Sequence, residues 1–150
     1  MTRQRKYYED FEVGDHFVAG RQTVTEAEIV NFVTSNGWFD RLFIDVEFVK
    51  SLGYKDRIAP GPLVMALAMG QWSRLDWRQG SGMGMLGLQA KYYNPLYPGD
   101  TIATEVDIVS KKETSKPSRG VIDLKFTAKN QHDVVLAEFT ETILFGRKPK

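Results

Sequence analysis

The stretch Asn36-Gly37-Trp38-Phe39-Asp40-Arg41-Leu42-Phe43-Ile44-Asp45 sets two carboxylates five residues apart beside one guanidinium. A carboxylate held near a reacting carbon or a water can take up or return a proton. The other candidates for that work are scattered. The only histidines, His16 and His132, stand far from this stretch, and neither has a second histidine at metal-ligand spacing. With no cysteine, thiolate catalysis, disulfides and cysteine-ligated metals are all excluded. Asp45 also has a plain local role open to it, because a carboxylate just before Val46–Leu52 can cap a short helix that Gly53 ends.

Several elements must position this stretch. Upstream, Thr25 and Glu28 have the spacing of a capping box, with Val24 and Ile29 as its hydrophobic staple. They predict a helix to about Thr34 that buries Ile29, Val30, Phe32 and Val33. Downstream, Arg57-Ile58-Ala59-Pro60-Gly61-Pro62 leads into a helix from Leu63 to about Leu75, with Pro62 suited to its first turn. Its first two turns, Leu63 to Gly70, carry no charge on any face, which predicts enclosure on nearly all sides. In a chain this short the enclosure must be a curved sheet. Strands are expected near residues 16–22, about 85–92, across Ile102–Ile108, across Ile122–Ala128 and over 134–145, the later ones alternating apolar and polar. One long helix with a run of antiparallel strands is an α+β fold.

Length and composition bound the rest. A chain of 150 residues makes one domain, here with an expected ordered core over about 7–146. It is 42% hydrophobic and 26% charged, with a net charge of +1, so no global field favours nucleic acid or a membrane surface. No signal peptide is visible at the polar, basic N-terminus, and the apolar run Leu63–Met69 is too short to span a bilayer, so a cytoplasmic protein is expected. The basic residues Lys111, Lys112, Lys116 and Arg119 flank a strand-to-strand loop, either to meet phosphates of a ligand or to keep the loop solvated. Met83, Met85, Trp72 and Trp77 are expected to pack rather than bind a cofactor.

The frame of residues 36–45 followed by Arg57–Leu63 resembles the active-site frame of the MaoC-like (R)-specific enoyl-CoA hydratases, a hot-dog-fold family. Three more segments are similar to that family in the same order. They are Tyr8–Asp15 with Thr23–Ile29, the proline-glycine hairpin Tyr92–Thr101, and Asn130-Gln131 before the last alternating strand. The resemblance implies a hot dog, a long central helix wrapped by an antiparallel sheet, that binds an acyl thioester. Such enzymes carry an aspartate directly after the glycine and a histidine five residues later. Here those places hold Trp38 and Phe43. Gly61 keeps the glycine of the helix start whose amide holds the thioester oxygen, and Pro60 stands where a histidine is usual.

Two readings of the altered site follow. Asp40 acts as a base with Asp45 as its partner, or both are structural, Asp45 as a cap and Asp40 paired with Arg41 or another surface charge. Trp38 and Phe43 either fill the former catalytic cavity or line a flatter acyl pocket with Ala59 and Gly61. A valine at 61 is expected to block a ligand's approach to the backbone while leaving the fold. The function implied is acyl-CoA or acyl-carrier thioester binding, with altered hydratase/dehydratase chemistry. The alternatives are the non-catalytic subunit of a hetero-oligomeric hydratase, an acyl-binding interaction module, or a thioesterase on fold analogy alone. The expected partner is a second copy or a related hot-dog subunit joined through strand edges. No metal is implied, and no cofactor beyond the coenzyme A of the substrate.

Overall fold

The computed structural model describes residues 5–77 and 79–149; the ends of the expected tails, residues 1–4 and 150, lie outside the described residues. A 3-10 turn, Tyr8–Asp10, precedes the first strand, β1 (His16–Thr23). Helices α1 (Glu26–Ser35), α2 (Arg41–Ile44), α3 (Val46–Ser51) and α4 (Gly61–Ser73) follow. The remainder is four strands, β2 (Gly82–Tyr92), β3 (Thr101–Glu113), β4 (Arg119–Lys129) and β5 (Val135–Gly146). All neighbours are antiparallel, in the order β1-β3-β4-β5-β2.

This is the expected hot dog. The helix α4 rests against β1, β3, β4 and β5. Alternation delivers one face of each strand to it: Ile102, Val106 and Ile108 from β3, and Ile122, Leu124 and Phe126 from β4, are essentially fully buried. Each such side chain stabilises the fold by roughly 1.5–3 kcal/mol relative to exposure. Trp72 near the end of α4 is the largest enclosed side chain, in edge-on or tilted contact with Phe17, Trp77 and Phe126. Enclosure of α4 is nevertheless incomplete. Ala66 is exposed, and Met65, Leu67 and Met69 are only half-buried. The sheet covers one side of the helix and leaves the other partly open.

Strand β2 is where the covering stops. It begins at Gly82, earlier than the apolar run suggests, and pairs only with β5. Met83, Met85, Leu86 and Leu88 all stay exposed, so the two methionines are not packed in the core as the sequence suggests. Trp77 does pack, against Phe17 and Trp72.

The terminal segments are tied together rather than loose. Lys6 donates its amide hydrogen to the Trp77 carbonyl, and Arg147 donates its own to Ser118. The Arg147 guanidinium pairs with Glu9 and Glu113 and lies over the Tyr8 ring, while Lys148 pairs with Asp10. Lys111, one of the basic loop residues, is held over the same ring and donates to the Phe11 carbonyl.

Candidate functional site

The helix α1 opens as its sequence requires. Thr25 Oγ1 accepts the Glu28 amide at 3.2 Å, and Glu28 Oε2 accepts the Thr25 amide at 2.7 Å. Its end delivers the chain to Gly37, which takes a positive φ of 66°. Two very short helices then form back to back, each with an aspartate cap. Asp40 accepts the Leu42 amide at 2.9 Å and Asp45 accepts the Phe48 amide at 3.0 Å. Arg41 pairs with Asp45, not with Asp40. The Phe48 amide, and then Arg41, hold the Asp45 carboxyl below the usual aspartate range.

Arg57 anchors this double turn to the approach of α4. Its Nη1 donates to the Phe43 carbonyl at 2.7 Å and its Nε to Glu26 at 3.0 Å. Two residues on, Ala59 donates its amide hydrogen to Leu96 at 2.9 Å, which fixes the start of α4 against the segment after β2. That segment is itself locked by the buried Asp100, whose carboxylate accepts from the Tyr97 amide and from Gln131 Nε2. Pro60 is the N-cap of α4 and offers no side-chain cap, so the Gly61 amide hydrogen has no partner among the described residues.

Between these pieces lies an open cavity of about 410 Å³. Trp38, Phe43, Ala59 and Gly61, all singled out by sequence, line it together. Trp38 and Phe43 meet edge-on at 5.1 Å; Phe43 is buried and Trp38 is 37% exposed. Phe43 thus packs in the small core as well as lining the cavity, whereas Trp38 is a wall residue. Asp40 and Asp45 are not among the lining residues, and neither histidine is. His16 lies in β1 with its Nδ1 2.7 Å from Asp107, and His132 is exposed in the β4–β5 turn.

Tyr92 is among the lining residues that sequence reasoning missed. A Cβ at Gly61 would sit 2.8 Å from two of its ring carbons, so this ring, and not a ligand, occupies the space that glycine leaves. A valine at 61 would have to displace that ring, which corrects the expectation that the change touches only ligand approach. Burial against the helix start pushes the Tyr92 hydroxyl above its ordinary pKa. The only signal in sequence was its place beside the proline-glycine hairpin. A second missed feature is Glu141, fully buried on the core face of β5 between Phe139 and Ile143. It lines a separate cavity of about 490 Å³ with Met69, Ser73, Met83 and Met85. Its signal was a charge in the inward phase of an alternating strand.

Comparison with known proteins supplies the family. A family model described as the FAS1-like dehydratase domain region matches residues 12–139. The chain is 30% identical over 118 residues to protein MaoC of Klebsiella aerogenes, covering 77% of this chain and 33% of that one. It is 23% identical over 149 residues to the beta-methylmalyl-CoA dehydratase of Chloroflexus aurantiacus, covering 98% and 42%. The chain thus spans about a third to two-fifths of the length of these curated relatives. Among solved structures, a monoamine oxidase regulatory protein from Archaeoglobus fulgidus superposes with a TM-score of 0.91 at 28% identity, covering 99% of each chain. The chain belongs to the MaoC-like hydratase/dehydratase family of hot-dog proteins.

Proposed function

We propose that this MaoC-like chain binds an acyl thioester, of coenzyme A or of an acyl carrier, in the cavity at the start of α4, and that it lacks the family's usual proton-transfer equipment. One observation carries this reading. The cavity is lined by rings, aliphatic side chains and the Asn94 amide around a helix start, and none of its described lining residues bears a carboxylate or an imidazole. Hydration of an enoyl thioester needs a base to take a proton from water and an acid to return one to the α-carbon, each contributing on the order of 100- to 10,000-fold. The Gly61 amide supplies only the electrostatic part, by meeting charge that develops on the thioester oxygen. A chain so equipped holds substrate well and turns it over slowly. This favours the role of a binding subunit, with the chemistry supplied by a related hot-dog partner.

The partner docks at β2. An unpaired edge of this length with exposed methionine and leucine side chains is an association surface, and α4 also leaves a half-covered apolar flank beside it. Light scattering should therefore give at least twice the 17.1 kDa of a single chain, alone or with a partner subunit. A stable monomer in the presence of every related subunit would remove this part of the proposal.

The test of the site is calorimetry with butyryl-CoA, a saturated thioester, beside a crotonyl-CoA hydration assay. Binding with little turnover is expected. Restoring the usual pair with Trp38→Asp and Phe43→His should raise hydration by about 100-fold or more. Robust wild-type turnover abolished by Asp40→Asn would show instead that Asp40 is the base. Absence of any thioester binding would sink the acyl reading as a whole.

A further inference from the structure

We infer, on the reading that the cavity holds an acyl thioester, that the Tyr92 hydroxyl is the side-chain donor that hydrogen-bonds the thioester carbonyl, together with the Gly61 amide. The cavity offers few protic side chains, and two of them are engaged in hydrogen bonds. Tyr93 donates its hydroxyl hydrogen to Glu138 at 3.0 Å, and Asn94 donates to the Val135 carbonyl at 2.7 Å. Tyr54 packs with the small core of Val33, Phe43, Val49 and Ile58, and Trp38 stands edge-on to Phe43. Tyr92 differs from all of these. The ring carbon that bears its hydroxyl lies 2.8 Å from where a Cβ on Gly61 would be, so the hydroxyl is carried at the helix start itself.

Its chemistry suits the task. Partial burial raises its pKa above that of an ordinary phenol, so the group is protonated and able to donate near neutral pH. The donor is also pre-organised. Tyr92 is the last residue of β2, its backbone registered against Ala137 of β5, and its ring rests on the first residue of α4. A carbonyl oxygen has two lone pairs, and a backbone amide and a phenol converging on one helix start can fill both. The tyrosine cannot act as a base under these conditions. Its contribution is to fix the acyl group and polarise its carbonyl, and the site gains affinity without gaining a proton acceptor.

The experiment pairs a protein change with a ligand change. Butyryl-CoA carries the carbonyl, whereas S-butyl-CoA, its thioether, does not. Tyr92→Phe keeps the ring on Gly61 and removes only the hydroxyl. It should weaken butyryl-CoA binding about 5- to 10-fold, as for one lost neutral hydrogen bond, and leave S-butyl-CoA within twofold. In difference infrared spectra, the carbonyl stretch of bound butyryl-CoA labelled with carbon-13 should move back toward its free frequency in the variant. Equal weakening of both ligands, or of neither, would overturn the inference and leave the acyl site standing. No binding of butyryl-CoA to the unaltered protein would remove the acyl site and this assignment together.

Discussion

The helix α4 meets a cluster of aromatic rings at each end. At its C-terminal end Trp72 is 1% exposed and touches Phe17, Trp77 and Phe126 with ring centroids 5.4 to 6.3 Å apart. At its N-terminal end Trp38, Phe43 and Tyr92 surround Gly61, and Trp38 and Tyr92 remain 37% and 47% exposed. The residue types are alike, but the neighbours differ. Strands contribute rings and aliphatic side chains to the first cluster from several directions, while the second is assembled from turns and one strand end. Closure turns aromatic surface into stability, and incomplete closure leaves it available to a ligand. On the proposed reading, the places of the family's acid-base pair fall in the second cluster, so putting Trp38 and Phe43 there would change the chemistry and leave the core as it is.

The contrast can be broken most sharply by truncating one tryptophan from each end. Trp72→Ala should cost about 3–5 kcal/mol in urea unfolding, through lost burial and the cavity left behind. Trp38→Ala should cost about 1 kcal/mol or less but weaken acyl-CoA binding. Similar stability losses from the two would mean that both clusters are core. A smaller effect is expected at the contact that closes the open end. Gly61→Ala should destabilise by about 1–2 kcal/mol because its methyl meets the Tyr92 ring, and Tyr92→Ala in the same chain should recover most of that loss. Failure of the second change to compensate would show that position 61 is constrained by something other than this ring.

The smallest effect concerns the polar edge of the open end, where Tyr93 and Lys125 both bond Glu138. Lys125, and then Tyr93, hold the Glu138 carboxyl below its ordinary pKa. A group whose pKa is lower in the folded than in the unfolded chain stabilises fully above the unfolded value and loses that stabilisation as pH falls through the folded value. Glu138→Gln should therefore lower the melting temperature by a degree or two near neutral pH and converge with the unaltered chain in acid. A difference that widened on acidification would contradict the shift.

Much of this was legible in the residues. The Thr25–Glu28 box, the uncharged first turns of α4 and the alternation in β3 and β4 are local signals, and each led to the element that formed. Asp45 was readable as a cap for the same reason. Asp40 was not, because the helix it caps has only four residues, Arg41–Ile44, too few to show a period. The space above Gly61 was illegible as well. A glycine suggests that something approaches closely, but sequence cannot say whether that is a ligand or, as here, a ring 31 positions away at Tyr92. The exposed flank of α4 misled for a related reason. An all-apolar helix demands cover, and the pattern is silent on whether a single chain supplies it.

The bonds that join Glu9 and Asp10 to Arg147 and Lys148 bring the first and last described segments of the chain side by side. None of those residues lines the cavity at Gly61. The fold is therefore a cassette with its two connectors at one seam. Such a fold suits splicing into a longer polypeptide, placement in tandem, or cutting open elsewhere and rejoining across that seam, with the cavity at Gly61 left as it is.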